Sequence, residues 1–317
     1  MRAVTVVLLG AELSGCASAP ARALDAAAEA RGLVVGELSV PGYTLRTFTN
    51  AALQSASKTP GTAHRRLHVY LDGDGRPFVT PRRVARDPTP SAPMVLDLLR
   101  LDGAPALYLG RPCYHGLQAA CDPRDWTVAR YSERVVRALA AGILASARAV
   151  DARSVVLVGY SGGGALAVLV AARLEAESHD RTARTTSPET QGRNPSGMSV
   201  LSGVVTIAAN LDTDAWTAHH RYSPLVGSLN PAHLPALPVV AQWHVSGAAD
   251  TNVPPELQAS FRARAAATGT RFQTLPGFTH TCCWIEAWPS MLEVVRETFP
   301  WEAIEDPAEE LAEEPAD

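Results

Sequence analysis

Lysine is almost absent from this sequence: Lys58 stands alone, and arginine carries the rest of the positive charge. That skew reads as genomic composition and bears on no function. The formal charge of −4 gives no electrostatic footprint for nucleic acid, which needs a clustered basic face, so a nucleic-acid partner is excluded. No C-x-x-C pair and no Cys/His spacing suggests zinc. No internal repeat is present. What remains is a chain of 317 residues with 46% hydrophobic content. That is ordinary for a globular protein and long enough for one large domain or two small ones with a substantial core.

The start of the chain reads as a targeting segment. After Met1-Arg2, residues 3–9 are apolar but far short of the roughly 20 residues that span a bilayer. They lead into Leu13-Ser14-Gly15-Cys16, which resembles the lipobox of bacterial lipoproteins. There, small residues precede a cysteine that is diacylated and becomes the mature N-terminus. The resemblance implies a signal peptide over 1–15, lipidation of Cys16, a tether over 16–32, and a periplasm-facing lipoprotein of the outer membrane. Cleavage at Ala17-Ser18-Ala19 is the rival reading, and Pro20 after the cut disfavours it. The other cysteines are Cys113, Cys121, Cys282 and Cys283, an even number that permits about three pairings. Cys113 and Cys121 flank a short loop, and a disulfide is predicted there. Cys282 and Cys283 are adjacent, and buried free thiols are expected of them rather than a vicinal bridge.

Strand and helix signals alternate along most of the chain. Residues 33–40 and 43–49 alternate apolar and polar around Pro41-Gly42, a hairpin signature. Strands are predicted over 67–71, 106–109, 154–158, 202–208, 239–245 and 271–275. Helices are predicted over 93–101, 133–149, 163–174, 254–267 and 282–298 from apolar spacing. This pattern predicts an α/β domain over 33–300, with a largely parallel central sheet, helices on both faces and an antiparallel N-terminal edge. Its ligand belongs beyond the carboxyl ends of the strands. Residues 178–199 are polar and read as a mobile insertion. Residues 210–237 read as a short cap or lid, and 301–317 as an acidic disordered tail. Trp243 and Trp284 are expected in the core.

Gly159-Tyr160-Ser161-Gly162-Gly163 follows the apolar strand Ser154–Val158 and opens a small-residue helix. A strand running into G-x-S-x-G forces the serine onto a sharp, exposed turn. A serine hydroxyl is a poor nucleophile and needs a base, which in turn needs an acid to hold its tautomer. Two later strand exits offer both, in Ser246-Gly247-Ala248-Ala249-Asp250-Thr251-Asn252-Val253-Pro254 and in Pro276-Gly277-Phe278-Thr279-His280. Asp212, after the strand at 202–208, is a second candidate acid. Asp250 alone would equally serve as a helix cap before Pro254.

On G-Y-S-G-G-G, S-G-x-x-D-x-x-V-P and G-x-x-H, the chain resembles the α/β-hydrolase superfamily of serine esterases and lipases over roughly 33–300. The resemblance implies Ser161 as nucleophile, Asp250 as orienting acid and His280 as general base, with no cofactor and a small-molecule or acyl substrate. It implies an oxyanion hole from Gly162 and the turn Gly73-Asp74. Many relatives carry His-Gly-Gly where this chain has Asp72-Gly73-Asp74-Gly75, so the residue giving the second donor stays open. That run also matches part of a calcium loop, but the remaining ligands are missing. The functional expectation is hydrolysis of an ester-like bond through an acyl-enzyme. A peptidase or acyltransferase using the same triad is the alternative, as is a non-catalytic lipid-anchored scaffold.

Overall fold

In the computed structural model, residues 18–57, 66–116, 121–185, 201–266 and 269–299 are described. Cys16, the leader over 1–15 and the tail over 301–317 lie outside these residues. The strands are β1 (Val34–Val40), β2 (Tyr43–Thr49), β3 (Arg66–Leu71), β4 (Phe78–Thr80), β5 (Arg83–Val84), β6 (Ala106–Leu109), β7 (Ser154–Tyr160), β8 (Leu201–Ile207), β9 (Gln242–Gly247) and β10 (Arg271–Leu275). The helices are α1 (Ala19–Glu29), α2 (Ala51–Ala56), α3 (Met94–Leu101), α4 (Glu133–Ala149), α5 (Gly162–Thr185), α6 (Thr213–His220), α7 (Ala259–Ala265) and α8 (Trp284–Thr298).

Eight strands form one sheet in the order β1-β2-β6-β3-β7-β8-β9-β10. The pairs β1/β2 and β2/β6 are antiparallel, and the rest are parallel. The expected antiparallel N-terminal edge is therefore present. Side chains alternate across a strand, so a strand covered on both faces must be apolar throughout. Leu67, Val69 and Leu71 of β3, with Val155 and Leu157 of β7, pack against α4 and α5. Tyr70, Val156 and Val158 point the other way, toward α3 and α8. Trp243 and Trp284 are buried there, as expected. On the same face, His68 Nδ1 and the Tyr70 hydroxyl meet Asp102 Oδ2 at 2.7 and 2.6 Å. No helix of the described residues is long and apolar enough to cross a membrane.

Three features depart from the sequence reading. The tether reading of 16–32 fails over Ala19–Glu29, which forms α1 and buries Ala21, Leu24 and Ala28. Alanine-rich composition reads as a linker, yet alanine is the strongest helix former, and these three residues share one helical face. Burying Leu24 contributes about 2 kcal/mol, and Arg31 adds paired bonds to Asp97 at 2.9 Å each. Of the expected insertion over 178–199, residues 178–185 continue α5, which runs on to Thr185, and 186–199 lies outside the described residues. The β4–β5 hairpin was not foreseen. Its strands are too short to show a period.

Candidate active site

Ser161 sits between β7 and α5 with φ of 52°, the left-handed region that a non-glycine residue adopts only under constraint. The constraint is close chain crossing. A Cβ at Gly159 would lie 2.4 Å from the Gly163 carbonyl oxygen, and one at Gly163 would lie 2.1 Å from that of Leu71. Only glycine lets the strand turn so tightly into the helix. The Ser161 N–H donates to the Ile207 carbonyl at 2.9 Å, which holds the elbow to the end of β8.

The loop after β10 carries His280, whose Nε2 lies 3.0 Å from Ser161 Oγ. Its Nδ1 lies 2.8 Å from Asp250 Oδ2. With a carboxylate on Nδ1, the tautomer that fits carries its proton there and leaves Nε2 free to accept from the serine. The His280 carbonyl accepts from the Tyr160 hydroxyl and from Trp284 Nε1, each at 3.1 Å. These bonds fix the backbone that carries the ring.

Asp250 follows β9 and is buried. Its Oδ1 accepts from the N–H groups of Asn252 and Val253, each at 2.8 Å. Burial pushes the carboxyl up, but the His280 bond and these two N–H groups outweigh it and leave it below the ordinary carboxylate range. Asp250 does not cap the next helix, since the 3₁₀ turn Pro255–Gln258 starts from Pro254 without a side-chain cap. Its Oδ1 instead closes the loop onto Asn252 and Val253, while Oδ2 faces His280. Asp212 is the N-cap of α6, accepting from Asp214 and Ala215 N–H at 3.2 Å and from Asn230 Nδ2 at 3.0 Å. Its local bonds hold it there, and the carboxylate on His280 is that of Asp250.

The Asp72–Gly75 turn leaves the end of β3 beside the elbow. A Cβ on Gly73 would lie 3.4 Å from Ser161 Cβ. The Gly73 N–H already donates to Asp72 Oδ1 at 2.6 Å. Asp74 is clamped from three directions. Its Oδ1 meets Arg111 Nη1 and its Oδ2 meets Arg130 Nη1, both at 2.8 Å. The Tyr131 hydroxyl reaches both oxygens, at 2.8 and 2.7 Å. Tyr114 donates to the Asp74 carbonyl at 3.0 Å, and Arg111 Nη2 to that of Asp72 at 3.0 Å. Burial raises the Asp74 carboxyl, yet the two guanidiniums and Tyr131 bring it down to about 2. Asp72 has less help, and burial pushes it up to about 6. With its carboxylate occupied by two arginines, Asp74 is no cation ligand. Among the described residues, no cluster of three or more His, Cys, Asp or Glu is arranged to hold a metal ion.

Sequence reasoning missed Arg111, Arg130 and Tyr131. Arg111 stands just past the end of β6, and its strand-exit position was the available signal. The Cys113–Cys121 disulfide closes the loop beyond it, with S–S of 2.12 Å and Cα–Cα of 5.5 Å. Cys282 and Cys283 are also bonded to each other, which corrects the free-thiol reading. They lie in the tight turn between His280 and α8, where Cys283 has φ of 82°. That turn leaves Cys282 exposed and Cys283 half-buried rather than in the core.

Ser161 and His280 open into a cavity of about 700 Å³, walled by the Asp72–Pro81 segment on one side and by Trp216, Tyr222 and Leu225 on the other. The latter three come from the 210–237 region. Trp216 Nε1 and His220 Nε2 meet the Asn252 carbonyl at 3.0 and 2.7 Å, fastening that region to the Asp250 loop.

No protein-family model matches the sequence, and no curated protein matches it either. Solved structures do. An esterase/lipase from an uncultured bacterium superposes with a TM-score of 0.52 at 14% identity, covering 94% of this chain and 95% of its own. A putative hydrolase from Agrobacterium vitis gives 0.51 at 15%, covering 84% of this chain and 98% of its own. A puromycin hydrolase gives 0.55 at 16%, covering 87% of this chain and 40% of its own. At such identities the likeness speaks for architecture alone. Together with the strand order and the mostly parallel sheet, it gives this chain the α/β-hydrolase fold.

Proposed function

We propose that the protein is a serine hydrolase that cleaves an ester-like bond through an acyl-enzyme on Ser161. One observation carries this reading: Ser161 Oγ, His280 and Asp250 form a continuous hydrogen-bonded relay of 3.0 and 2.8 Å that opens into a cavity. In the proposed reaction, Ser161 Oγ attacks the carbonyl carbon while His280 Nε2 takes its proton. Asp250 holds the Nδ1 proton and stabilises the imidazolium by its charge. Oxyanion donors are assigned to the N–H groups of Gly162 and Asp74, because the Gly73 N–H is already engaged. Each such donor contributes about 3 kcal/mol of transition-state stabilisation. His280 then passes its proton to the leaving alkoxide, whose departure leaves the acyl group on Ser161. Water, deprotonated by the same imidazole, attacks the acyl carbon; the acyl–Oγ bond breaks, His280 returns the proton to Ser161 Oγ, and the carboxylic acid is released.

Anchoring through an acylated Cys16 at the cell envelope is part of the same proposal, and it rests on the lipobox-like segment. The decisive experiment is labelling with a fluorophosphonate probe together with turnover of p-nitrophenyl acetate. Wild-type protein is expected to label and turn over. Ser161→Ala is expected to do neither while keeping its far-UV circular dichroism. Labelling that survives in Ser161→Ala moves the nucleophile elsewhere, and a wild type inert in both assays leaves the scaffold reading. A matched panel of esters, amides and thioesters then separates an esterase from a peptidase.

A further inference from the structure

The segment Arg76–Arg86 holds four arginines and neither Asp nor Glu, in a chain of net charge −4. It forms the β4–β5 hairpin at the mouth of the Ser161 cavity. Arg76, Arg82, Arg83 and Arg86 are all exposed. Among the described residues, none of the four takes part in an ion pair. The neighbouring acid, Asp87, turns inward to Ser18 and Thr89. Phe78 and Val84 are register partners, so their side chains share a face of the hairpin.

Exposed large apolar side chains gather at the same place. Phe78, Val79 and Val84 are on the hairpin, and Tyr222 lines the cavity that Phe78 and Val79 also line. Elsewhere among the described residues only Val34, Val226 and Val239 are comparably exposed. The hairpin base is fixed: Arg76 N–H donates to the Pro88 carbonyl at 2.8 Å, and Ala85 N–H to that of Pro77 at 2.9 Å. Trp126 Nε1 donates to the Ala85 carbonyl at 3.1 Å. An anchored base with an apolar, cationic tip is the chemistry that inserts a few side chains among acyl chains while guanidiniums meet anionic headgroups.

We propose that this hairpin seats the protein on an anionic phospholipid bilayer, with the mouth of the Ser161 cavity facing the lipid. A polyanion such as RNA would satisfy the arginines but offer nothing to Phe78 and Val84, so the bilayer is the better fit. The proposal does not depend on the hydrolase reading, because vesicle binding is measurable in Ser161→Ala.

The test uses the full chain carrying Cys16→Ser, so that no acyl anchor masks the hairpin. Cosedimentation is measured with sucrose-loaded vesicles of phosphatidylcholine, with and without phosphatidylglycerol. Binding is expected to need phosphatidylglycerol and to fall sharply in 1 M NaCl, where the screening length is about 3 Å. Each arginine near such a surface strengthens partition about fivefold, so Arg82→Ala with Arg83→Ala is expected to weaken it about thirtyfold. Neither residue lines the cavity, so turnover of p-nitrophenyl acetate is expected to stay unchanged in that variant. Phe78→Ser with Val84→Ser is expected to weaken partition as well. Equal binding to neutral vesicles, no binding to anionic ones, or indifference to both pairs of substitutions would overturn the proposal. So would loss on arginine removal alone with RNA competing, which would mark a polyanion surface.

Discussion

Asp74→Asn changes one charge and almost no volume, which isolates the electrostatics of the turn beside Ser161. The Asp74 side chain is 16% exposed, and its partners Arg111 and Arg130 are 3% and 7% exposed. Its fall from 3.8 to about 2 means that the native fold favours the ionised over the protonated carboxyl by about 2 kcal/mol. Because the folded value is depressed, that stability is complete above pH 4 and is lost as pH falls toward about 2. Asparagine is the harsher change. It leaves two buried guanidiniums without a counter-charge and aims an amide N–H₂ at one of them. Removing one partner from a buried pair costs about 3–5 kcal/mol, so urea unfolding at pH 7 should show a loss near the lower end of that range. The Asp72–Gly75 turn carries the proposed second oxyanion donor. Its displacement should therefore lower kcat on p-nitrophenyl acetate about 10²-fold or more. Adding Arg130→Met should recover about 1 kcal/mol or more, because one orphaned charge is then gone. If Asp74→Asn stays within 1 kcal/mol of wild type and keeps its kcat, the clamp neither stabilises the fold nor sets the turn.

Asp250→Asn keeps its contact with His280 but favours the wrong tautomer, so kcat should fall about 10⁴-fold; Asp212→Asn should leave turnover intact and cost about 1 kcal/mol of α6 capping in urea unfolding. Equal losses of kcat in both variants would return Asp212 to consideration. Asp72 is the opposite case to Asp74: its folded carboxyl is raised to about 6, so ionising it at neutral pH costs the fold about 3 kcal/mol, a penalty relieved as pH drops from above 6 to about 4. Asp72→Asn should therefore be more stable than wild type at pH 8 and lose most of that advantage by pH 4.5, which paired urea titrations at the two pH values would reveal.

The parts of this molecule legible in sequence are those fixed by near neighbours. The glycines around Ser161 are needed because strand and helix nearly touch there, a requirement written into five consecutive residues. Asp250 and His280 lie at strand exits in the expected chain order, but Asp212 satisfies that order too, and only the 2.8 Å approach to His280 singles out Asp250. The apolar runs of β3 and β7 announce strands buried on both faces. By contrast, α1 is ambiguous as a string: its alanines suit a linker as well as a helix. Only the apolar surface beneath Leu24 and Ala28 decides between them.

The Asp74 clamp shows why the support of a site is harder to read than its chemistry. D-G-D-G announces a turn, and two carboxylates close together suggest a cation. What determines their behaviour is the arrival of Arg111, Arg130 and Tyr131 from 37, 56 and 57 residues away. None of the three sits in a motif. Their effect is large enough to reverse the burial cost at Asp74, while Asp72, two residues earlier on the same turn, keeps most of it. Identical side chains so close in sequence are thus driven in opposite directions by non-local partners. In the proposed mechanism, a turn held by such partners is fixed before substrate arrives, and that preorganisation is what an oxyanion donor requires.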